Sequence, residues 1–135
     1  MKQRIFYWLL GLTLAGVTVF ALAHEKTGWI APEEAKKMKN PVKATKTSIQ
    51  KGNEIYEKKC ALCHGVNGDG KGPAGAGLNP KPTNFKEPHG EKMTDGEHFW
   101  KISKGKGPMP SYEKDLTADE RWYVINYINT FIKHK

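Results

Sequence analysis

The stretch Cys60-Ala61-Leu62-Cys63-His64 contains both cysteines of this 135-residue chain, and a histidine directly follows the second cysteine. Two cysteines at this spacing can form a local redox disulfide, but that chemistry belongs after a strand in a βαβ unit, and no such pattern surrounds the motif. A structural zinc site needs four cysteine or histidine ligands with paired spacing, and only three candidates cluster here. The motif therefore requires an interpretation that uses all three side chains together.

Covalent attachment of a haem uses all three side chains. The two thiols add to the haem vinyl groups as thioethers, and their spacing places Cys60 and Cys63 on one side of a helical turn. The next residue, His64, then lies under the iron as its proximal ligand. The sequence therefore predicts one covalent haem c, with its iron, attached at Cys60 and Cys63 and ligated by His64.

The N-terminal segment is typical of an export signal. Lys2 and Arg4 precede an uncharged, mostly apolar run from residue 5 to residue 23, and Ala21-Leu22-Ala23 fits a signal-peptidase site. Because a membrane span needs about 20 residues of this kind, residues 1–23 are interpreted as a signal peptide cleaved near Ala23 or as an inner-membrane anchor. Both alternatives place the rest of the chain in the periplasm, where haem attachment of this kind takes place, and residues 5–23 allow membrane association.

The remaining chain divides into a charged lead-in or linker, residues 24–46, and a predicted haem-binding domain, residues 47–135. The net charge is +8 for the whole chain, and Lys2 and Arg4 contribute two of these charges. A basic excess of this size fits an acidic partner protein or an anionic membrane surface, and it fits simple solubility equally well. Nucleic acid is excluded as a partner because the chain is exported and contains no binding motif for it.

Capping boxes predict three helices, since each pairs a threonine with Glu or Gln three residues later. The boxes are Thr47 with Gln50, Thr94 with Glu97 and Thr117 with Glu120. The first helix leads into the cysteine motif, the second ends at Gly105, and the third has an apolar stripe that includes Trp122, Ile125 and Ile128. Residues 65–84 are a loop rich in glycine and proline, and no strand pattern of useful length occurs. The sequence therefore predicts an all-α domain.

The second iron ligand decides between electron transfer and catalysis, because a filled iron site exchanges electrons with little rearrangement whereas an open site binds small ligands. Met109 is the preferred candidate, since Pro108 and Pro110 hold it on an extended loop between two helices. A methionine on a helix face would instead be a core residue. His89 is the main alternative, and the other candidates are Met38, Met93, His24, His98 and His134.

With these features the chain resembles monohaem members of the cytochrome c family, of the bacterial periplasmic kind, over residues 47–133. The likeness rests on the motif Cys60–Gly65, the Met109-Pro110 loop and the aromatic C-terminal helix. It implies an all-α cytochrome c fold of three to four helices around one haem. In that fold the helix over 47–59 crosses the helix over 117–133 near a right angle. The expected contact joins Gly52 and Tyr56 to Val124 and Tyr127.

The resemblance also implies roles for residues of the haem pocket. A proline carbonyl, from either Pro73 or Pro82, accepts a hydrogen bond from the far nitrogen of His64 and orients the ring. Trp100 and Tyr112 line the haem or reach its propionates, although ordinary aromatic packing explains both residues equally well.

The expected function is that of a single-electron carrier, not an enzyme, in a periplasmic or respiratory chain. His64 and Met109 stay bound to the iron throughout, and no small-molecule substrate is involved. Lysines in the loops around the haem edge would steer an acidic redox partner: Lys71, Lys81, Lys104 and Lys106. The alternatives are a cytochrome subunit of a larger oxidoreductase complex, or a small haem peroxidase or sensor with an open iron site.

Overall fold

The computed structural model describes residues 28–87 and 93–132, which form an all-α fold. Within these ranges five helices occur: α1 Glu33–Lys37, α2 Lys46–Lys59, α3 Ala61–His64, α4 Asp95–Lys104 and α5 Ala118–Ile128. The fold class predicted from the sequence is confirmed. The number of helices exceeds the expected three to four because the short segments α1 and α3 each form a separate helix.

Several features predicted from the sequence lie outside the described residues. They are the signal peptide or anchor over residues 1–23 and the candidate ligands His24, His89 and His134. In the two described ranges, no helix has the length and apolar character that a membrane crossing requires.

The predicted capping boxes at Thr94 and Thr117 are confirmed, and the first helix begins near Thr47 as predicted, but its predicted capping box is wrong. α2 has Thr45 as its N-cap, and Ser48 closes the box where Gln50 was expected. The Thr45 hydroxyl accepts a hydrogen bond from the Ser48 amide (3.1 Å), and the Ser48 hydroxyl accepts one from the Thr45 amide (2.8 Å). Serine at the third helical position therefore closes the box at the Thr45 amide, whereas in the predicted box Gln50 would have reached the amide of Thr47.

α2 packs against α5 at Gly52, as the helical glycine predicted. A Cβ at Gly52 would collide with the backbone carbonyl of Tyr123 and would lie 2.9 Å from the Cβ of Tyr127. One turn further along α2, the fully buried Tyr56 places its ring 5.2 Å from that of Tyr127. Its hydroxyl donates to the carbonyl of Gly65 (2.8 Å), which joins this helix pair to the loop after the cysteine motif.

The C-terminal helix is shorter than expected, because α5 ends at Ile128 and not near residue 133. The amides of Thr130 and Phe131 donate to carbonyls three residues back, in tighter turns that leave the α-helix. This change of direction brings the ring of Phe131 5.4 Å from that of Tyr56. Packing of Phe131 on the core therefore replaces a further helical turn.

The described part of the lead-in forms a strap over α4 and α5. Ala35 of α1 is buried, and a Cβ at Gly96 of α4 would collide with the carbonyl of Ala35. Further along the strap, the amide group of Asn40 donates to that of Asn126 on α5 (2.8 Å), and Asn126 donates to the carbonyl of Val42 (3.2 Å). Residues 28–45 thus pack on the helices that carry the candidate site.

Candidate functional site

The cysteine motif forms its own short helix directly after α2. Cys60 is both the C-cap of α2 and the N-cap of α3, and Gly65 ends α3 with a φ of 77°. The amides of Cys63 and His64 both donate to the carbonyl of Cys60, at 3.1 and 2.9 Å. Neither cysteine forms a disulfide, and burial raises the pKa of the Cys60 thiol to about 12. The motif therefore presents two free, closely spaced thiols on one helical turn.

His64 is held by a backbone carbonyl and by an aromatic ring. Its Nδ1 lies 3.3 Å from the carbonyl oxygen of Thr83, so Nδ1–H donates and Nε2 keeps its lone pair. The imidazole stacks on Phe85, with ring centres 5.1 Å apart and planes inclined by 19°. Burial lowers the pKa of His64 and keeps the ring neutral, which is the form that binds iron.

The resemblance assigned the contact with His64 to a proline, and this assignment is wrong. The carbonyl of Pro82 faces Gly70 instead, where an added Cβ would lie 2.6 Å from it. Pro73 is exposed. Its two neighbours bind the motif: the amide of Gly72 donates to the carbonyl of Cys63 (3.1 Å), and the amide of Ala74 donates to the carbonyl of Leu62 (3.0 Å). Of the two prolines, Pro82 lines the site and Pro73 does not.

Two cavities meet at the motif, and both are lined by Cys60, His64, Thr83 and Met109. The first, called the loop cavity here, is otherwise lined by Lys59, Cys63, Leu78, Pro80, Lys81, Pro82, Pro108, Pro110 and Tyr112. The second, the core cavity, is otherwise lined by Tyr56, Phe85, Met93, His98, Lys101, Ile102, Val124 and Ile128. Mostly apolar cavities with a few convergent polar groups are typical of cofactor sites.

Met109 lies on the loop between α4 and α5, and its backbone is fixed at both polar groups. Its amide donates to the carbonyl of Lys106 (3.1 Å), and its carbonyl accepts from the Lys106 amide (2.9 Å). Two further candidate ligands, Met93 and His98, line the core cavity, whereas Met38 is 41% exposed. The sulfur of Met93 already accepts a hydrogen bond from Lys101 (3.0 Å). Three candidates for the second iron ligand, Met93, His98 and Met109, therefore line a cavity. Of these, Met109 is the one that lines both cavities.

The two aromatic residues expected in the pocket have different positions. Tyr112 lines the loop cavity, and its hydroxyl donates to the carbonyl of Lys59 (2.8 Å). Trp100 lines neither cavity, and its ring packs on Trp29 of the strap, with ring centres 6.3 Å apart, which fits the alternative of ordinary aromatic packing. Successive helical residues point about 100° apart, so a helix that turns Lys101 toward the core cavity turns Trp100 toward the strap.

Sequence reasoning missed three contributors to the site: Thr83, Phe85 and the placement of His98. Phe85 is buried and stacks on both His64 and Phe131. An aromatic residue that follows twenty residues of glycine- and proline-rich loop was a usable signal. No local signal identifies Thr83, because its role depends on a backbone carbonyl.

Comparisons with known proteins agree with this geometry. Residues 47–128 match the family model described as cytochrome C oxidase, cbb3-type, subunit III. Cytochrome c6 of Euglena gracilis is 31% identical over 84 residues, which cover 58% of this chain and 87% of that protein. A chain of the Kuenenia stuttgartiensis reducing HAO-like protein complex Kustc0457/Kustc0458 is 31% identical, with a TM-score of 0.60. That match covers 69% of this chain and 47% of the other, so this chain spans about half of its length.

The chain therefore belongs to the cytochrome c family, as a monohaem c-type cytochrome. Its cofactor is covalently bound haem c, and its activity is haem-based electron transfer. The donor set fits this group, because two free thiols and a neutral imidazole line one apolar cavity.

Proposed function

We propose that the protein carries single electrons on one haem c, bound through Cys60 and Cys63 and ligated by His64 and Met109. The observation that supports this proposal is that all four side chains line the loop cavity. When bound, the haem supplies a reversible one-electron couple at its iron.

The side chains of the site determine how that couple behaves. The carbonyl of Thr83 fixes the orientation and tautomer of His64 and raises its basicity as a ligand. The paired backbone of Lys106 and Met109 holds a weak thioether ligand in place without help from a helix. Methionine favours reduced iron, and the apolar wall from Ile102, Val124 and Ile128 excludes water, so we expect a comparatively high reduction potential.

Met109→Ala tests the ligand, with Met93→Leu as the matched control in the same cavity. Oxidised wild type and M93L should both show the weak far-red absorption band of methionine-ligated haem, and M109A should lack it. Reduced M109A should bind carbon monoxide readily, whereas wild type should not. A far-red band that survives in M109A would refute Met109 as the ligand. Loss of the band in M93L alone would make Met93 the ligand. Ready binding of carbon monoxide by wild type would favour the peroxidase or sensor alternative.

We infer that residues 1–23 export the chain to the periplasm or anchor it there, and that residues 47–135 form the haem domain. Residues 24–46 connect the two, and their described part packs on α4 and α5. The mass of the mature chain, purified from its native cell fractions, tests the export step. A mature protein that begins near His24 supports cleavage, and an intact N terminus in the membrane fraction supports anchoring. An intact chain in the cytoplasm would contradict both.

An acidic redox protein is the proposed partner. Lys81 lines the loop cavity, and Lys71 and Lys106 are exposed, so these cations are free to steer a partner. Lys104 instead pairs with Glu113 (3.0 Å), which offsets its charge. The rate of electron transfer to the partner should fall as salt increases. Lys81→Gln should slow it more than Lys104→Gln, and a rate that is independent of salt would contradict the steering.

A dedicated subunit of a larger oxidoreductase complex is the second candidate. The family model is that of an oxidase subunit, and one similar structure belongs to a protein complex. Mild purification from the native source separates the two candidates. Stoichiometric co-purification with a catalytic chain would support the subunit, and a monomeric cytochrome would support the free carrier.

A further inference from the structure

His98 carries a buried nitrogen that needs a partner. The side chain is 4% exposed, and its Nε2 has no hydrogen-bond partner among the described residues. A buried polar group without a partner costs about 1–3 kcal/mol, so such groups are rarely left unpaired unless a ligand completes them. Burial also lowers the pKa of His98 to about 4, so the ring is neutral at pH 7. The atom therefore indicates a ligand group that comes from the core cavity.

The position of His98 argues against a role as iron ligand. Its ring packs on that of Phe85, with centres 5.9 Å apart and planes inclined by 64°, and Phe85 also stacks on His64. His98 thus shares a packing partner with His64, whereas Met109 lies on a separate loop and lines both cavities. A different partner is therefore expected for Nε2 of His98.

Lys101 supplies a positive charge on the same face of α4. It follows His98 by three residues, lines the core cavity and is partly buried. Its ammonium donates to the sulfur of Met93 (3.0 Å), a weak acceptor, and lies 5.6 Å from the ring centre of Trp29. In the described ranges no carboxylate lies within 4.0 Å of it. α4 thus turns one neutral imidazole and one cation toward the core cavity.

A carboxylate is the group that matches this pair. The rest of the core-cavity wall offers few donors, because it is mainly apolar and the hydroxyl of Tyr56 already donates to Gly65. Haem c carries its two propionates on the edge of the macrocycle away from the vinyl groups that form thioethers. α4 is a separate element from the segment that carries Cys60 and Cys63. Its side chains are therefore suitable partners for the propionates.

We propose that Nε2–H of His98 donates to a haem propionate, with the Lys101 ammonium beside the same carboxylate. The inference rests on the proposed function, because it takes haem as the occupant of the cavity. A donor and a cation at the propionate offset its negative charge, and that charge otherwise stabilises ferric iron. His98 therefore raises the reduction potential without touching the iron.

His98→Phe and His98→Gln, both prepared with haem attached, test this role. H98F fills the space without a donor, and H98Q keeps an N–H donor. In H98F the ratio of ferric to ferrous haem at a given potential should rise about tenfold at pH 7, which lowers the reduction potential by about 59 mV for one electron. H98Q should stay within about threefold of wild type, and both variants should keep the far-red band.

The outcomes separate this inference from the proposed function. A kept band with an unchanged potential in H98F overturns the propionate contact and leaves the electron carrier intact. A band lost in H98F but retained in M109A overturns both assignments and makes His98 the ligand. If H98F fails to fold, ring-nitrogen NMR of the diamagnetic ferrous wild type decides. A slowly exchanging Nε2 proton on His98 supports the contact, and a rapidly exchanging one overturns it.

Discussion

The α2–α5 interface and the wall formed by α4 with the Met109 loop are built on different principles. At the interface, Tyr56, Val124 and Ile125 are fully buried, and Gly52 lets the two backbones approach closely. On the wall, Met109 and Lys101 are only partly buried, and a buried nitrogen of His98 has no partner within residues 28–87 and 93–132. The first region is completed by protein contacts alone, whereas the second arranges its side chains for a cofactor.

The backbone of the motif holds the loop that follows it. The carbonyl of His64 accepts from the amide of Gly70 (2.8 Å), and the amide of Phe85 donates to the carbonyl of Gly68 (2.8 Å). The glycine- and proline-rich loop is therefore pinned to the back of the motif while its far end supplies Thr83 and Phe85 to His64. This arrangement fixes the position of His64, the proposed iron ligand.

The largest expected effect comes from removing both thiols. Cys60→Ala with Cys63→Ala should yield a chain with no covalent haem, because no other cysteine exists. The mass of the purified chain measures this directly. Leu62→Ala is the matched control, since Leu62 lies within the motif but is 62% exposed, and it should keep a full complement of haem. Covalent haem in the double variant would contradict the role of the two thiols in attaching the cofactor.

Gly52→Ala should damage the interface and leave the cofactor wall unchanged. Its Cβ would meet the backbone carbonyl of Tyr123, which has no free rotation to move away. Overpacking of this kind costs about 1–3 kcal/mol of unfolding free energy, more than the ~1 kcal/mol that alanine gains in a helix. Denaturant unfolding of the oxidised protein measures the difference.

Gly77→Ala is the control, because a Cβ there meets no described residue within 4 Å. Its unfolding free energy should match that of wild type, and the far-red band should be the same in both variants. Equal stability of G52A and G77A would show that the helices do not need this close approach.

Asn40→Ala should have the smallest effect, confined to the strap. It removes the hydrogen bonds that the side chain donates to the Asn126 oxygen and to the carbonyl of Trp122, and the one that it accepts from the amide of Val42. We expect a loss of about 1 kcal/mol of unfolding free energy and no change in the spectrum. Lys39→Ala removes a neighbouring exposed side chain and should have no measurable effect. A changed spectrum in N40A would indicate that the strap supports the haem site.

Local signals in the sequence determined the class of the protein, its principal helices and its four proposed haem contacts. Cys60, Cys63 and His64 are adjacent, so their chemistry can be predicted without the fold. Thr94 and Thr117 begin helices through side chains that reach only three residues ahead. Met109 was selected because two neighbouring prolines exclude it from a helix, which is again a local property.

Only the tertiary structure decided which distant groups surround those contacts. Thr83, and not Pro73 or Pro82, binds His64, because the path of a twenty-residue loop sets which carbonyl arrives there. Trp100 faces the strap and His98 faces the core cavity, because the rotation of α4 is fixed by packing against distant parts of the chain. Residue spacing determines what a short motif can bind, whereas long-range packing determines what surrounds the bound group.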